Sequence, residues 1–194
     1  MLKIRKNTKE VFNEEVILIM IDSKKCKEMV DNYTYINNIK KYIKDIFPIA
    51  IYISRLCPVY LMGGALRDIK LGNIPKDLDF VCLDNDNIIE TYIKKFNLEY
   101  KLNSFGGYKI IFNGMSIDLW KTSDLYSAIE YNIDGLFYDV KENRLLSFGY
   151  FDSISDGIKV INEKNNTTNK VRARERKIKL ENYYRKIKED EYDS

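Results

Sequence analysis

The sequence contains no histidine. That excludes an imidazole general base, a Ser/His/Asp or Cys/His constellation and a His-ligated zinc site. Cysteine is scarce too. Cys26, Cys57 and Cys82 are odd in number, far apart and form no CxxC pair, so buried free thiols are expected, with no disulfide framework or thiolate metal site. No apolar run approaches the ~20 residues of a membrane span. The basic residues 1–9 are followed only by a short apolar stretch, 16–21, with no small-residue cleavage site. The expected location is the cytoplasm, with no membrane partner. Carboxylates, amines, guanidiniums, hydroxyls and backbone groups remain for chemistry, which points to oxygen ligands and hard cations such as magnesium.

What is present reads as an ordinary soluble globular chain: 194 residues, 45% hydrophobic and 31% charged. This is enough for one domain with a short appendage. The net charge of +3 conceals an asymmetry, because ten basic residues stand against two acids between Lys164 and Lys188. The expected organisation is an N-terminal strand segment (1–22), a central domain (23–163), and a polar linker with a basic C-terminal helix (164–194). The linker contains NNTTN at 165–169, and the helix carries Leu180, Tyr183, Tyr184 and Ile187 at helical spacing. Two readings of this helix stand side by side. It is an amphipathic helix docked on the body, or it contacts a nucleic-acid backbone through Arg172, Arg174, Arg176 and Lys177.

Along the body, residues 15–22 (EVILIMID) read as a strand, and 23–56 as helical with an interruption at Pro48. Residues 59–62 and 78–83 read as strands, 65–71 and 87–96 as helices. Strands are expected over 99–104, 108–112 and 116–120, the last two joined by the hairpin signal Asn113-Gly114. A helix over 123–129 leads into 131–140, then a strand at 145–148 and a loop rich in Asp and Gly. The fold class expected is α+β, a mixed sheet of about five strands packed with helices.

The chemistry concentrates in residues 59–81, VYLMGGALRDIKLGNIPKDLDFV. A strand ends in Gly63-Gly64 and a helix begins at once, so free backbone N–H groups can be approached closely by an anion. Asp77 and Asp79 begin the next strand, where residues i and i+2 share a face and Leu78 turns to the core. Two carboxylates held that close repel unless a cation lies between them, and a divalent metal is the natural answer. Two-metal phosphoryl chemistry usually needs a third acid from a neighbouring strand. Asp118, flanked by apolar residues after the hairpin turn, is the best candidate; the alternative for it is an ordinary acid at a turn or sheet edge.

Residues 63–79, GGALRDIKLGNIPKDLD, resemble the GGxxRDxxLGxxxxDxD signature of the poly(A) polymerase and class II CCA-adding enzyme head domain, in the DNA polymerase β-like nucleotidyltransferase superfamily. A weaker likeness runs through residues 105–121, where Asp118 falls at the family's third acid, and in all residues 45–162 are covered. The resemblance implies a minimal, head-only fold that moves a nucleoside monophosphate from a nucleoside triphosphate such as ATP to an acceptor hydroxyl, in the first place an RNA 3′ end such as that of tRNA. It implies two magnesium ions, with manganese as substitute, held by Asp77, Asp79 and Asp118. Asp118 would bind the ion that activates the attacking hydroxyl and could accept its proton. Gly63, Gly64, Arg67 and Lys76 would bind the nucleotide; for Arg67 an ion pair with Asp68 or a structural brace is the competing role.

The chain also departs from the family. Where the family carries an RRDFTINA-type motif, this chain reads AIEYNIDG at 128–135, so both arginines are gone and Glu130 replaces the acid. The neck motif EDxxR has only a loose echo in Arg172, Arg174, Glu175 and Arg176. A catalytically weakened protein that keeps the fold for nucleotide binding, regulation or RNA binding is therefore the alternative to the enzyme. A structural nucleic-acid-binding module working through its basic helix is a third reading.

Overall fold

The structure, a computed structural model, describes residues 28–30, 33–83, 87–103, 106–162 and 170–192. Among them an eight-stranded mixed sheet forms the frame, in the order β1-β8-β7-β2-β3-β6-β5-β4. The strands are β1 (Glu28–Val30), β2 (Val59–Met62), β3 (Asp77–Cys82), β4 (Tyr100–Leu102), β5 (Tyr108–Phe112), β6 (Met115–Lys121), β7 (Leu136–Asp139) and β8 (Arg144–Ser147). All neighbours are antiparallel except β3 and β6, which run parallel. That pair needs a crossover connection, supplied by the helix Ile88–Lys95 and the β4–β5 hairpin.

Alternation along the strands sends side chains to two different cores. Leu78, Phe80, Ile117 and Leu119 join the larger core, with helices α1 (Tyr33–Ile46), α2 (Ile49–Ile53), α3 (Gly64–Lys70), α4 (Ile88–Lys95) and α5 (Tyr150–Asp156). Tyr60, Met62, Val81, Phe137 and Leu146 face a smaller core closed by Leu125, Ile129 and Phe148. β2 and β7 are therefore buried on both faces, which is why VYLM and LFYD are apolar runs with little alternation. Helix α6 (Lys170–Tyr192) lays Leu180 and Tyr183 into the larger core.

Pro48 separates α1 from α2 as its position predicts, sitting at the N-terminal cap of α2. Asn113 and Gly114 both take positive φ (49° and 79°), so the β5–β6 connection is a two-residue turn of the primed kind, which matches strand twist. Other expectations are corrected. The sheet has eight strands, not about five: β4 and β8 fall on the expected strands 99–104 and 145–148, while β7 lies inside the stretch 131–140 and β1 inside a segment read as helical. The expected strand 15–22 lies outside the described residues, and the helical reading of 23–56 gives way at its start to β1. The expected helix over 123–129 is a single 3-10 turn, Tyr126–Ala128. There the Asp124 carboxylate accepts N–H bonds from Tyr126 and Ser127, and the chain turns extended at Ile129. The expected Asp/Gly loop contains α5, bracketed by Gly149 and Gly157 with φ of 83° and 89°. Between them Tyr150, Ser153 and Ile154 are buried at i, i+3 and i+4. No helix among the described residues is long and apolar enough to cross a membrane.

Candidate active site

Strand register brings the expected acids together. In the parallel pair β3–β6, Asp79 lies opposite Asp118 and Asp77 opposite Ser116. Strand alternation sends all four side chains to the face carrying the smaller core. Asp77 is exposed at the start of β3, while Asp79 and Asp118 are partly buried. On the other flank of β3, Asp79 lies opposite Met62, the last residue of β2. The chain then turns at Gly63 with φ 75° and ψ −140°, a conformation side chains rarely adopt. A Cβ on Gly63 would stand 3.2 Å from Asp79 Oδ2. The glycine turn and the acid are thus in close approach, and the first amides of α3 have no acceptor within the helix.

Burial, with the negative charges of Asp77 and Asp118 beside it, pushes the Asp79 carboxyl up to about 7, while Arg176 and Arg67 pull it back. The set consists of carboxylate oxygens, one of them costly to ionise, beside a Ser116 hydroxyl that is buried without a hydrogen-bond partner. That donor chemistry fits a hard divalent cation. Among the described residues no three acids already close into a metal cage. Lys109, opposite Asp118 in the β5–β6 pair, approaches its Oδ2 at 3.9 Å.

The guanidiniums are arranged differently from the simple expectation. Arg67 is 8% exposed, and its partner is Asp134, not Asp68: Nη1 donates to Asp134 Oδ1 at 2.6 Å. The Tyr183 ring lies over it, 5.4 Å from Cζ. Its Nη2 is 3.9 Å from where a Gly64 Cβ would be, so the brace remains at the glycine turn. The second oxygen of Asp134 accepts from Arg176 Nη2 at 2.8 Å, and Arg176 Nη1 pairs with Glu130 Oε2 at 2.9 Å. Glu130 and Asp134 are buried, and the other Glu130 oxygen, Oε1, has no partner. The segment that lacks arginines thus receives one from α6.

The remaining basic residues separate by face. Lys76 is exposed immediately before Asp77, and Arg174 and Lys177 are exposed on α6, with Lys177 3.9 Å from Glu181. Arg172 lies within α6, its side chain outside the described residues. Sequence reasoning missed the pairing of Arg176 with Glu130 and Asp134, which are 46 and 42 positions away. It also passed over Lys109, for which a signal existed: counting back from Asn113-Gly114 places Lys109 opposite Asp118.

No family model and no curated protein matches the sequence. Solved structures of CCA-adding enzymes share its fold. One with ATP superposes with a TM-score of 0.55 at 20% identity, over 70% of this chain and 38% of that one. One with CTP gives 0.54 at 22%, over 70% and 38%, and an apo form 0.55 at 23%, over 70% and 37%. The likeness shows an α+β nucleotidyltransferase head fold, and the chain spans less than two fifths of the length of those enzymes.

Proposed function

We propose that this protein is a nucleotidyltransferase that joins a nucleoside monophosphate from a nucleoside triphosphate to an acceptor hydroxyl, that of an RNA 3′ end such as a tRNA. The observation that carries the reading is the register Met62–Asp79–Asp118, with the Gly63 turn in close approach to Asp79. The fold likeness to CCA-adding enzymes solved with ATP and CTP supports it.

In this reading the triphosphate lies on the backbone amides after Gly63-Gly64, where a larger residue would intrude, with Lys76 and the Nη2 edge of Arg67 toward its charge. The acceptor oxygen attacks the α-phosphorus, the bond from the α-phosphorus to the bridging oxygen of the β-phosphate breaks, and pyrophosphate leaves. Asp118 takes the hydroxyl proton. Asp77, Asp79 and Asp118 would hold two magnesium ions, or manganese in their place, whose chemistry is to neutralise phosphate charge and raise the acidity of the acceptor hydroxyl. No histidine is needed for any of this.

The test is incubation of the protein with magnesium, labelled triphosphates and RNA, alongside Asp77→Ala/Asp79→Ala. Label should be transferred by the wild type and fall to background in the double variant. Nucleotide bound but never transferred, under magnesium or manganese, sinks the enzyme and leaves the second reading, a nucleotide-binding regulator. One observation favours that second reading: Glu130 and Asp134, in the segment without arginines, are held in ion pairs with Arg67 and Arg176.

A further inference from the structure

One row of directly opposed residues crosses the whole sheet: Met29, Leu146, Phe137, Met62, Asp79, Asp118, Lys109, Lys101. Its character changes in order, from four apolar residues through two acids to two lysines. Direct opposition keeps these side chains on one face. The apolar end is covered: Met62, Phe137 and Leu146 are buried in the smaller core. The other end is open, since Lys109 and Lys101 are both exposed.

Like charges directly opposite each other weaken a strand pair, and Lys101 faces Lys109 across β4–β5. Lys109 has the Asp118 carboxylate at 3.9 Å; Lys101 lies one strand further out, on the three-residue edge strand β4, where every residue is exposed. Strands are spaced about 4.8 Å apart, so the two ammonium groups extend outward from Asp118 in steps of about 5 Å at their backbones. That is a line of positive charge beginning at the acid.

We propose that Lys109 and Lys101 form a docking track for the phosphodiester backbone of a single-stranded RNA whose 3′ end lies at Asp118. This deepens the proposed function and rests on it for the placement of the 3′ end. A polyanion fits the surface in two ways: it neutralises the repelling lysine pair, and a flexible single strand can follow the outward direction of the row. The track also gives the molecule a second basic surface, separate from the exposed face of α6.

The experiment measures the affinity of a short, fluorescently labelled single-stranded RNA as a function of KCl for wild type and Lys101→Ala, Lys101→Glu, Lys101→Arg and Lys41→Ala. Lys41 is a control, an exposed lysine on α1 paired with Asp45. Lys101→Ala should reduce the slope of log affinity against log salt by about 0.7, the value of one single-strand phosphate contact. Lys101→Glu should weaken binding further, Lys101→Arg should behave as wild type, and triphosphate affinity should not move. An unchanged slope in Lys101→Glu, an equal change in Lys41→Ala, or no RNA binding by the wild type at low salt overturns the track. Failure of the transferase reading is distinguishable: RNA bound through Lys101 but no nucleotide transferred removes the enzyme and keeps the track, while transfer with RNA affinity unaltered in Lys101→Glu does the reverse.

Discussion

Gly135 is demanded by space, not by backbone freedom. Its φ of −78° is open to any residue, but a Cβ there would collide with the carbonyl oxygen of Phe148 and stand 2.9 Å from that of Asn132. The approach is fixed from both sides, because Phe148 N–H donates to Gly135 O at 2.7 Å. Gly135→Ala should therefore cost about 3 kcal/mol, the upper part of the range for overpacking. In a protein this long that lowers the melting temperature by about 10 °C, measurable by thermal denaturation. Gly72, with nothing within 4 Å of an added Cβ, would not show a collision of this kind. At Asp139 the pressure is electrostatic. Burial raises its carboxyl above the ordinary 3.8, against the N–H groups of Glu142 and Lys141 and the Arg144 guanidinium, which favour the charge. A raised folded value means the folded state holds the proton more tightly than the unfolded chain, so this contribution is full at low pH and is lost as pH climbs from about 4. Asp139→Asn keeps the acceptor for the Lys141 and Glu142 amides and removes the titration. Its melting temperature relative to wild type should rise between pH 4 and pH 7; a constant difference would contradict the assignment.

At the scale of the element, α6 resolves into two faces. Leu180, Tyr183 and Tyr184 dock: Tyr183 hydroxyl is 3.2 Å from that of Tyr150, and Tyr184 donates to Ile154 O. Arg176 extends this docked side over Glu130 and Asp134, while Arg174, Lys177, Lys179 and Arg185 remain exposed. The docked reading holds, and the four residues offered for a nucleic acid divide: Arg176 is engaged with Glu130 and Asp134, while Arg174 and Lys177 are exposed. Removing Arg176 leaves Asp134 with Arg67 alone and takes from the buried Glu130 the guanidinium it pairs with. Losing one partner of a buried pair costs about 3–5 kcal/mol. Arg176 keeps 46% of its side-chain surface, so solvent screening reduces the expectation to about 1–2 kcal/mol. Arg176→Ala should melt about 3–6 °C lower, Glu130→Gln in the same chain should restore part of the loss, and Arg174→Ala should do neither.

For the molecule as a whole, what was legible in the sequence is what is encoded locally. Gly63-Gly64 and Asp77-x-Asp79 are short patterns whose geometry follows from strand alternation and from glycine, and Asn113-Gly114 fixes its hairpin within a few residues. Helix α1 was legible in part, because Ile39 and Ile43 repeat at helical spacing and Pro48 marks its end. The rest depends on partners far along the chain. The three-residue strand β1 exists because β8 offers free hydrogen bonds, not because its own residues demand extension. α5 hides in a seven-residue stretch with two Asp and two Ser, in which Tyr150, Ser153 and Ile154 are buried and Phe151 is partly so. Nothing near Glu130 announces that its cation arrives from residue 176.

The turn at Asn113-Gly114 has a genetic consequence. Because it is two residues long, Asp118, and not Ile117 or Leu119, stands opposite Lys109, on the face that the parallel pairing with β3 sets beside Asp79. Inserting one codon there while the tight two-residue turn is kept would slip β6 by one residue, presenting the aspartate to the larger core and an isoleucine to the acids. Inserting two would return the side chains to their original faces while sliding them along the strand. The placement of the candidate acids is thus stored partly as a count of residues, and a frameshift-free insertion at this exposed turn, four residues before Asp118, would displace that acid without replacing it.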